Sequence, residues 1–348
     1  MTQTLTLTRP DDWHLHLRDG EALQAVIGDS AKRFARAIVM PNLKPPVVTV
    51  EQARAYRDRI LRALPRGSDF EPLMTLYLTD GTPPAEIERA QRSGFVRAVK
   101  LYPAGATTHS NAGVTDLRRC EATLAAMASL GVPLLVHGEV TDPDVDVFDR
   151  EAVFVDRVLA PLVERFPALK IVLEHVSSRH AVEFVERAPA NVAATICAHH
   201  LLYSRNSIFQ GGLRPHFYCL PVLKREEDRR AIVAAATSGN PKFFLGTDSA
   251  PHPRHAKEAA CCSAGIYTAH AAIELYAEAF EQAGALERLE AFASFHGADF
   301  YGRPRSEARI TLVKESWTVP EALPFGADTL VPLRAGEQVA WRLEETRR

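Results

Sequence analysis

Eight short apolar runs, spaced along the chain by longer amphipathic stretches, constrain the fold more than any other feature of this sequence. The runs are Asp12–Leu17, Ala37–Met40, Leu73–Leu78, Val96–Leu101, Pro133–His137, Ile171–His175, Val192–Ile196 and Phe243–Gly246. Most are nearly continuous rather than alternating, the pattern of strands covered on both faces in a parallel sheet. Helical patterns lie between them at Val50–Leu64, Asp149–Arg165, Lys224–Thr237 and Glu258–Gln282. A further one carries Leu117, Cys120, Leu124 and Met127 on one stripe, with Thr115 as its N-cap and Gly131 and Pro133 at its end. Strands alternating with helices in this way predict a (β/α)8 TIM-type barrel. An open doubly wound sheet is disfavoured, because no G-x-G-x-x-G follows the first strand. Past Tyr301 the texture changes to short β-like pieces, Ile310–Val313, Trp317–Val319 and Thr329–Leu333, with prolines between them. They read as a C-terminal appendage, 304–348, packed on a barrel of residues 1–303 within the same domain.

Charge excludes several function classes. Lys and Arg number 41 against 43 Asp and Glu, a net of −2, which gives no reason to expect nucleic acid or an acidic membrane as partner. No stretch approaches the ~20 apolar residues of a membrane span. Met1–Pro10 lacks a basic-then-apolar signal pattern, so a cytoplasmic protein is expected. Five cysteines without C-x-x-C spacing argue against a disulfide framework and against a thiolate zinc site. Cys261 and Cys262 read as two reduced thiols near a helix start.

The active site of a barrel of this kind is built at the C-terminal ends of its strands. There the polar residues gather. The first run contains His14-Leu15-His16, whose imidazoles share one face of a strand, with Arg18 on the same face. The second run ends near Asn42, the fourth in Lys100, the fifth in His137-Gly138-Glu139, the sixth in Glu174-His175 and the eighth in Thr247-Asp248. So many polar groups at one end of a core cost free energy unless something pairs with them, and a dinuclear metal centre would do so. Four neutral imidazoles, His14, His16, His137 and His175, suit Zn²⁺, and Asp248 adds an anionic oxygen. Lys100 stands out, because an ammonium is costly to bury in an apolar strand. Either it pairs with an acid such as Glu139 or Asp248, or burial leaves a neutral amine able to react with carbon dioxide and form a bridging carbamate.

These residues, and the words around them, resemble a known family. The His-x-His pair, strand lysine, two later histidines and final aspartate resemble the amidohydrolase superfamily. The segments Asp11–Gly20, Met40–Leu43, Val99–Pro103, Val136–Glu139, Leu173–His175 and Gly246–His252 are similar to those of the dihydroorotases, the shorter bacterial type in particular. The likeness runs from about Thr6 to Pro304. It implies two zinc ions per subunit: His14 and His16 at the more buried one, His137 and His175 at the more exposed one, and Asp248 on the first. Carboxylated Lys100 and a hydroxide would bridge them. It further implies that Arg18, Asn42 and His252 grip a substrate carboxylate, with His137 beside it. Backbone groups of Leu220 and Ala264 would hold ring amides, and Thr107 and Thr108 would descend on a mobile loop. The small, Gly-bearing composition of Pro103–Gly113 suits a lid on its own account. His199 and His200 receive no metal role.

The implied activity is reversible cyclisation of N-carbamoyl-L-aspartate to L-dihydroorotate plus water, in de novo pyrimidine biosynthesis, by a homodimer. Asp248 would be the proton-transfer residue. The alternatives are another cyclic amidohydrolase (hydantoinase or allantoinase) and a catalytically silent homologue. The first fits the carboxylate clamp poorly, and the second fits poorly with every ligand position filled.

Overall fold

The computed structural model describes residues 3–344. Strand β1 (Thr4–Thr8) precedes eight parallel strands: β2 (Asp11–Leu15), β3 (Arg36–Val39), β4 (Glu71–Tyr77), β5 (Val96–Leu101), β6 (Leu134–Val136), β7 (Ile171–Leu173), β8 (Val192–Ile196) and β9 (Phe243–Leu245). They pair in chain order, β2 to β9. All eight predicted runs fall on these strands. The ring closes just beyond β9, where the Asp248 N–H donates to the His14 carbonyl (2.9 Å) and the His16 N–H to that of Ser249 (3.2 Å). The fold is the expected (β/α)8 barrel.

Alternation along each strand sorts side chains between two packed regions. Ile38, Met40, Leu73, Ala98, Leu135, Val172, Ala193 and Phe244 fill the barrel interior. Their neighbours Val39, Val99, Leu134, Val136, Ile171, Leu173, Phe243 and Leu245 pack outward against the helices. Strand β2 departs from strict alternation. Its register shifts between Asp12 and Leu15, so Trp13 enters the interior cluster while Leu15 joins the outer one. A bulge re-aims side chains in this way, often beside active sites. At the upper layer Gly246 allows the walls to meet: a Cβ there would stand 2.7 Å from Thr195 Cβ and 3.1 Å from His14 Cβ.

Helices cover the outside. Thr49 and Gln52 form a capping box that starts Val50–Ala63. The stripe beginning at Leu117 is capped by Asp116, not Thr115: the Asp116 side chain accepts from the Arg118 N–H, while Thr115 is held by Asp80. A 3-10 turn at Leu117–Cys120 leads into Glu121–Leu130, which stops at left-handed Gly131. The pattern at Asp149–Arg165 is helical throughout, with a π turn at Val155–Leu159. The one over Lys224–Thr237 is helical from Glu226. The pattern at 258–282 is helical only from Ala272, after a short 3-10 turn. Residues 258–268 are a loop, and Cys261 and Cys262 lie in it rather than at a helix start.

After the last helix, β10 (Arg309–Val313) pairs antiparallel with β1. Trp317–Thr318 pairs with Gln338–Val339, and Leu323–Phe325 with Asp328–Leu330. The β character expected at 329–333 thus ends at Leu330.

Candidate active site

The inward parity of each strand, continued to its end or just past its last paired residue, delivers the polar side chains to one end of the barrel. Ala98 leads to Lys100, Leu135 to His137, Val172 to Glu174, and Met40 to Asn42. His175 and Asp248 reach the same space by a second device. Both have left-handed backbones, with φ of 44°, and Arg18 has φ of 57°. Left-handed non-glycine residues cost on the order of 1–3 kcal/mol each and persist where the surroundings over-determine them.

His14 Nε2 and His16 Nε2 lie 3.2 Å apart. Asp248 Oδ1 stands 3.3 Å from the first and 3.1 Å from the second. The rings of His137 and His175 follow, with centroids 4.8 Å apart, and His175 is 5.0 Å from His14. All five side chains are buried. Nitrogen atoms so placed, converging with one carboxylate oxygen, suit a borderline-soft divalent cation. Buried ring nitrogens of His16 and His175 find no protein partner, an arrangement that is costly without something to bind. The set fits a metal.

Lys100 is completely buried, and its partner is neither Glu139 nor Asp248. Its Nζ donates to Glu174 Oε2 at 2.6 Å. Glu139 is engaged by His137 Nε2 at 2.8 Å, and Asp248 by the two histidines of β2. Glu174 also makes an ion-pair contact with His14 Nδ1. No role was expected for Glu174, although its inward parity with Val172 was the signal. Burial pushes the Lys100 ammonium down, against the pull of Glu174. For Glu174 burial acts upward, but His14 and Lys100 outweigh it and hold the carboxyl low. Burial opposes ionisation of Asp248 too, yet His14 and its other histidine neighbours hold it well below the usual carboxylate range. Burial lowers His14, but Glu174 and Asp248 prevail and raise it to about 9. Burial takes His16 down to about 3.

Arg18, Asn42, Thr107, Thr108, Leu220 and Ala264 line the same small cavity as the four histidines and Asp248, a space of about 20 Å³. His252 stands just behind, with Nε2 3.0 Å from Arg18 Nη2 and 2.9 Å from the Ala264 carbonyl. Burial and the Arg18 charge push His252 down to about 2, so it is neutral. The loop bearing Thr107 and Thr108 is down: Asn42 Nδ2 donates to the Thr108 carbonyl (3.2 Å), and the Thr108 hydroxyl meets the Ala264 carbonyl (3.3 Å) and N–H (3.2 Å). Every residue expected at the site is therefore brought together.

Lys257 was also missed. Its Nζ donates to the carbonyls of Tyr218, Ser263 and Gly265, each at 2.8 Å, using all three protons. It thereby staples the loop that presents Ala264. Gly265 beside it has φ of 149°, and a Cβ would fall 2.7 Å from the Ala250 carbonyl. Cys197, His199 and His200 form a second buried group of donors, in which His200 Nε2 lies 3.3 Å from the Pro221 carbonyl.

The amidohydrolase family model matches residues 11–311. A dihydroorotase of Laribacter hongkongensis is 70% identical over 341 residues, covering 98% of this chain and 99% of its own length. Among solved structures, a dihydroorotase from Campylobacter jejuni superposes with a TM-score of 0.91 at 37% identity, covering 99% of this chain and 98% of that one. A dihydroorotase from Saccharomyces cerevisiae, solved with 5-fluoroorotic acid, also gives 0.91 at 34% identity, covering 99% of this chain and all of the other.

Proposed function

The chain belongs to the dihydroorotase family of amidohydrolases, and we propose that it catalyses the reversible, zinc-dependent ring closure of N-carbamoyl-L-aspartate to L-dihydroorotate in de novo pyrimidine biosynthesis. The observation that carries this reading is a metal-binding donor set and a cationic clamp in one buried cavity. Arg18 offers a planar fork suited to a carboxylate, with Asn42 and neutral His252 beside it. A neutral cyclic ureide such as a hydantoin or allantoin has nothing to place there. The orotate analogue in the yeast relative supports the same choice.

His14, His16 and Asp248 would hold the more buried zinc, His137 and His175 the more exposed one, with carboxylated Lys100 between them. When bound, the metal pair supplies a hydroxide at neutral pH and Lewis-acid polarisation of the ring carbonyl. In the hydrolytic direction Asp248, held ionised by its histidine neighbours, accepts the nucleophile's proton and returns it to the leaving ring nitrogen. Lys100 must leave Glu174 as a neutral amine before it can be carboxylated, and its burial favours that form. Glu174 then faces His14 Nδ1 and fixes the tautomer that offers Nε2 to the metal.

Backbone groups of Leu220 and Ala264 orient the ring amides, and Thr107 and Thr108 close over them. A cavity of about 20 Å³ holds a water molecule or so, so the substrate enters only when the loop lifts and Thr108 releases Asn42 and Ala264. The reading carries with it a homodimer working in the cytoplasm.

The test is turnover of L-dihydroorotate by the purified, zinc-supplemented protein. Loss of dihydroorotate that a chelator abolishes and zinc restores is the expected result. No turnover with about two zinc ions bound would break the substrate assignment, and hydantoins and allantoin would be assayed next.

A further inference from the structure

The opposite mouth of the barrel holds a second pocket, about 280 Å³ in volume, far from the histidines. Its floor is aromatic: Tyr301 stacks on Trp13 with ring centroids 4.5 Å apart. Its walls present Arg97, Lys170 and Arg303, together with Gln91. No acidic side chain lines it among the described residues.

The donors in this pocket outnumber their acceptors. The Arg97 side chain, on β5, makes no ion pair or hydrogen bond among the described residues, and its Nε is buried without a partner. Arg303 reaches Glu71 through Nη2, at 3.2 and 3.3 Å, but its Nε is also buried and unpartnered. Lys170 Nζ spends one bond, 2.8 Å long, on the Phe300 carbonyl, leaving two of three ammonium protons. The Tyr301 hydroxyl is buried without a partner as well. Burial lowers the Arg97 guanidinium, and the like charges of Arg303 and Arg36 lower it further, with Glu71 in partial opposition. Arg36 is itself committed to Asp11 at 2.8 Å. The local balance is thus a surplus of positive charge and of N–H and O–H donors around a space lined by no carboxylate among the described residues. Buried donors of this kind are normally satisfied, and guanidinium groups pair most strongly with oxyanions.

We propose that this pocket at the N-terminal mouth of the barrel binds a small oxyanion, a phosphate group or phosphomonoester, between Arg97, Arg303 and Lys170. Arg97 is its principal contact, because among the described residues the Arg97 side chain alone of the three has no hydrogen bond or ion pair. The anion is reached by the accessible Nη groups of Arg97 and Arg303 and by the Lys170 ammonium.

The test is isothermal titration of the zinc-loaded protein with inorganic phosphate, against sodium chloride at matched ionic strength. The active site offers Arg18 as a competing anion receptor, so the titration is repeated on Arg97→Gln and on Arg18→Gln. Saturable phosphate binding that weakens about tenfold or more in Arg97→Gln and survives in Arg18→Gln is the expected result. Arg97→Lys, which keeps the charge but not the fork, should fall between wild type and Arg97→Gln. Unchanged dihydroorotate turnover without phosphate would certify that Arg97→Gln is folded. Binding lost in Arg18→Gln but kept in Arg97→Gln would overturn the proposal, as would heats no larger than those of chloride.

Discussion

The two mouths of this barrel are built from the same eight strands and use them in opposite ways. At the C-terminal mouth the inward positions hold Lys100, His137, Glu174 and Asp248, all buried: Lys100 contacts Glu174, His137 contacts Glu139, and Asp248 contacts His14. At the N-terminal mouth the interior is stopped by a triangle of rings: Trp13 has Tyr301 stacked on it and Phe244 edge-on at 6.4 Å, and Phe244 and Tyr301 also meet edge-on. One end spends buried polarity on chemistry. The other closes the interior with aromatic packing and keeps its charges, Arg97, Lys170 and Arg303, around a pocket outside it. Moving along a single strand by two residues, from Val172 to Glu174 or from Ala98 to Lys100, crosses from one regime to the other.

That contrast predicts that substitutions at the two ends fail differently. The largest effect falls on Asp248→Ala, which on the proposed function removes both a metal ligand and the proton carrier. Turnover should drop by about 10³-fold or more, with a thermal transition close to wild type. Full activity would remove Asp248 from the mechanism. Trp13→Ala should do the reverse. Loss of a buried aromatic costs about 3–5 kcal/mol, read in a denaturant melt, while the remaining folded fraction keeps its metal content. A wild-type midpoint would mean that the ring stack does not hold the lower mouth. Glu174→Gln tests whether the buried carboxylate serves the ligands or merely neutralises Lys100. Competition with a chromophoric chelator should show metal affinity lower by about 10–100-fold, and unchanged affinity would assign Glu174 to the lysine alone. The smallest effect is expected for Lys257→Met, which frees the loop carrying Ala264. KM should rise by about tenfold while kcat changes less. A fall in kcat at constant KM would place the defect in the chemistry instead.

Much of this was legible in the sequence, for a physical reason. Strands buried on both faces must be apolar, so the eight runs stand out. The few polar residues that interrupt them at one end must be there for a function. What escaped reading depended on contacts between distant segments. The stretch from Glu258 onward looks helical because it is rich in alanine, but 258–268 is not helical. The Ala250 N–H donates to the Ile266 carbonyl at 2.9 Å, and Lys257 takes three carbonyls of the neighbourhood, so tertiary pairing overrides the local preference. Thr115 looks as good a cap as Asp116, but Asp80 claims its side chain and backbone. The partner of Lys100 was misread because sequence does not say which of several acids on neighbouring strands faces it. Parity within β7 would have pointed to Glu174.

Among the described residues, strand β1 has its only sheet partner roughly 300 residues later, Thr4 opposite Val313 and Thr8 opposite Arg309. During synthesis at about 5–20 residues per second, that partner emerges roughly 15–60 s after β1 has left the ribosome. For that interval the first strand is an unpaired edge, open to association with other nascent chains. Its alternation of threonine with leucine, Thr4-Leu5-Thr6-Leu7-Thr8, keeps one face polar while it waits. The barrel strands β2 to β9 pair among themselves without β1, so the β1–β10 pairing is a long-range contact that the barrel does not need in order to close.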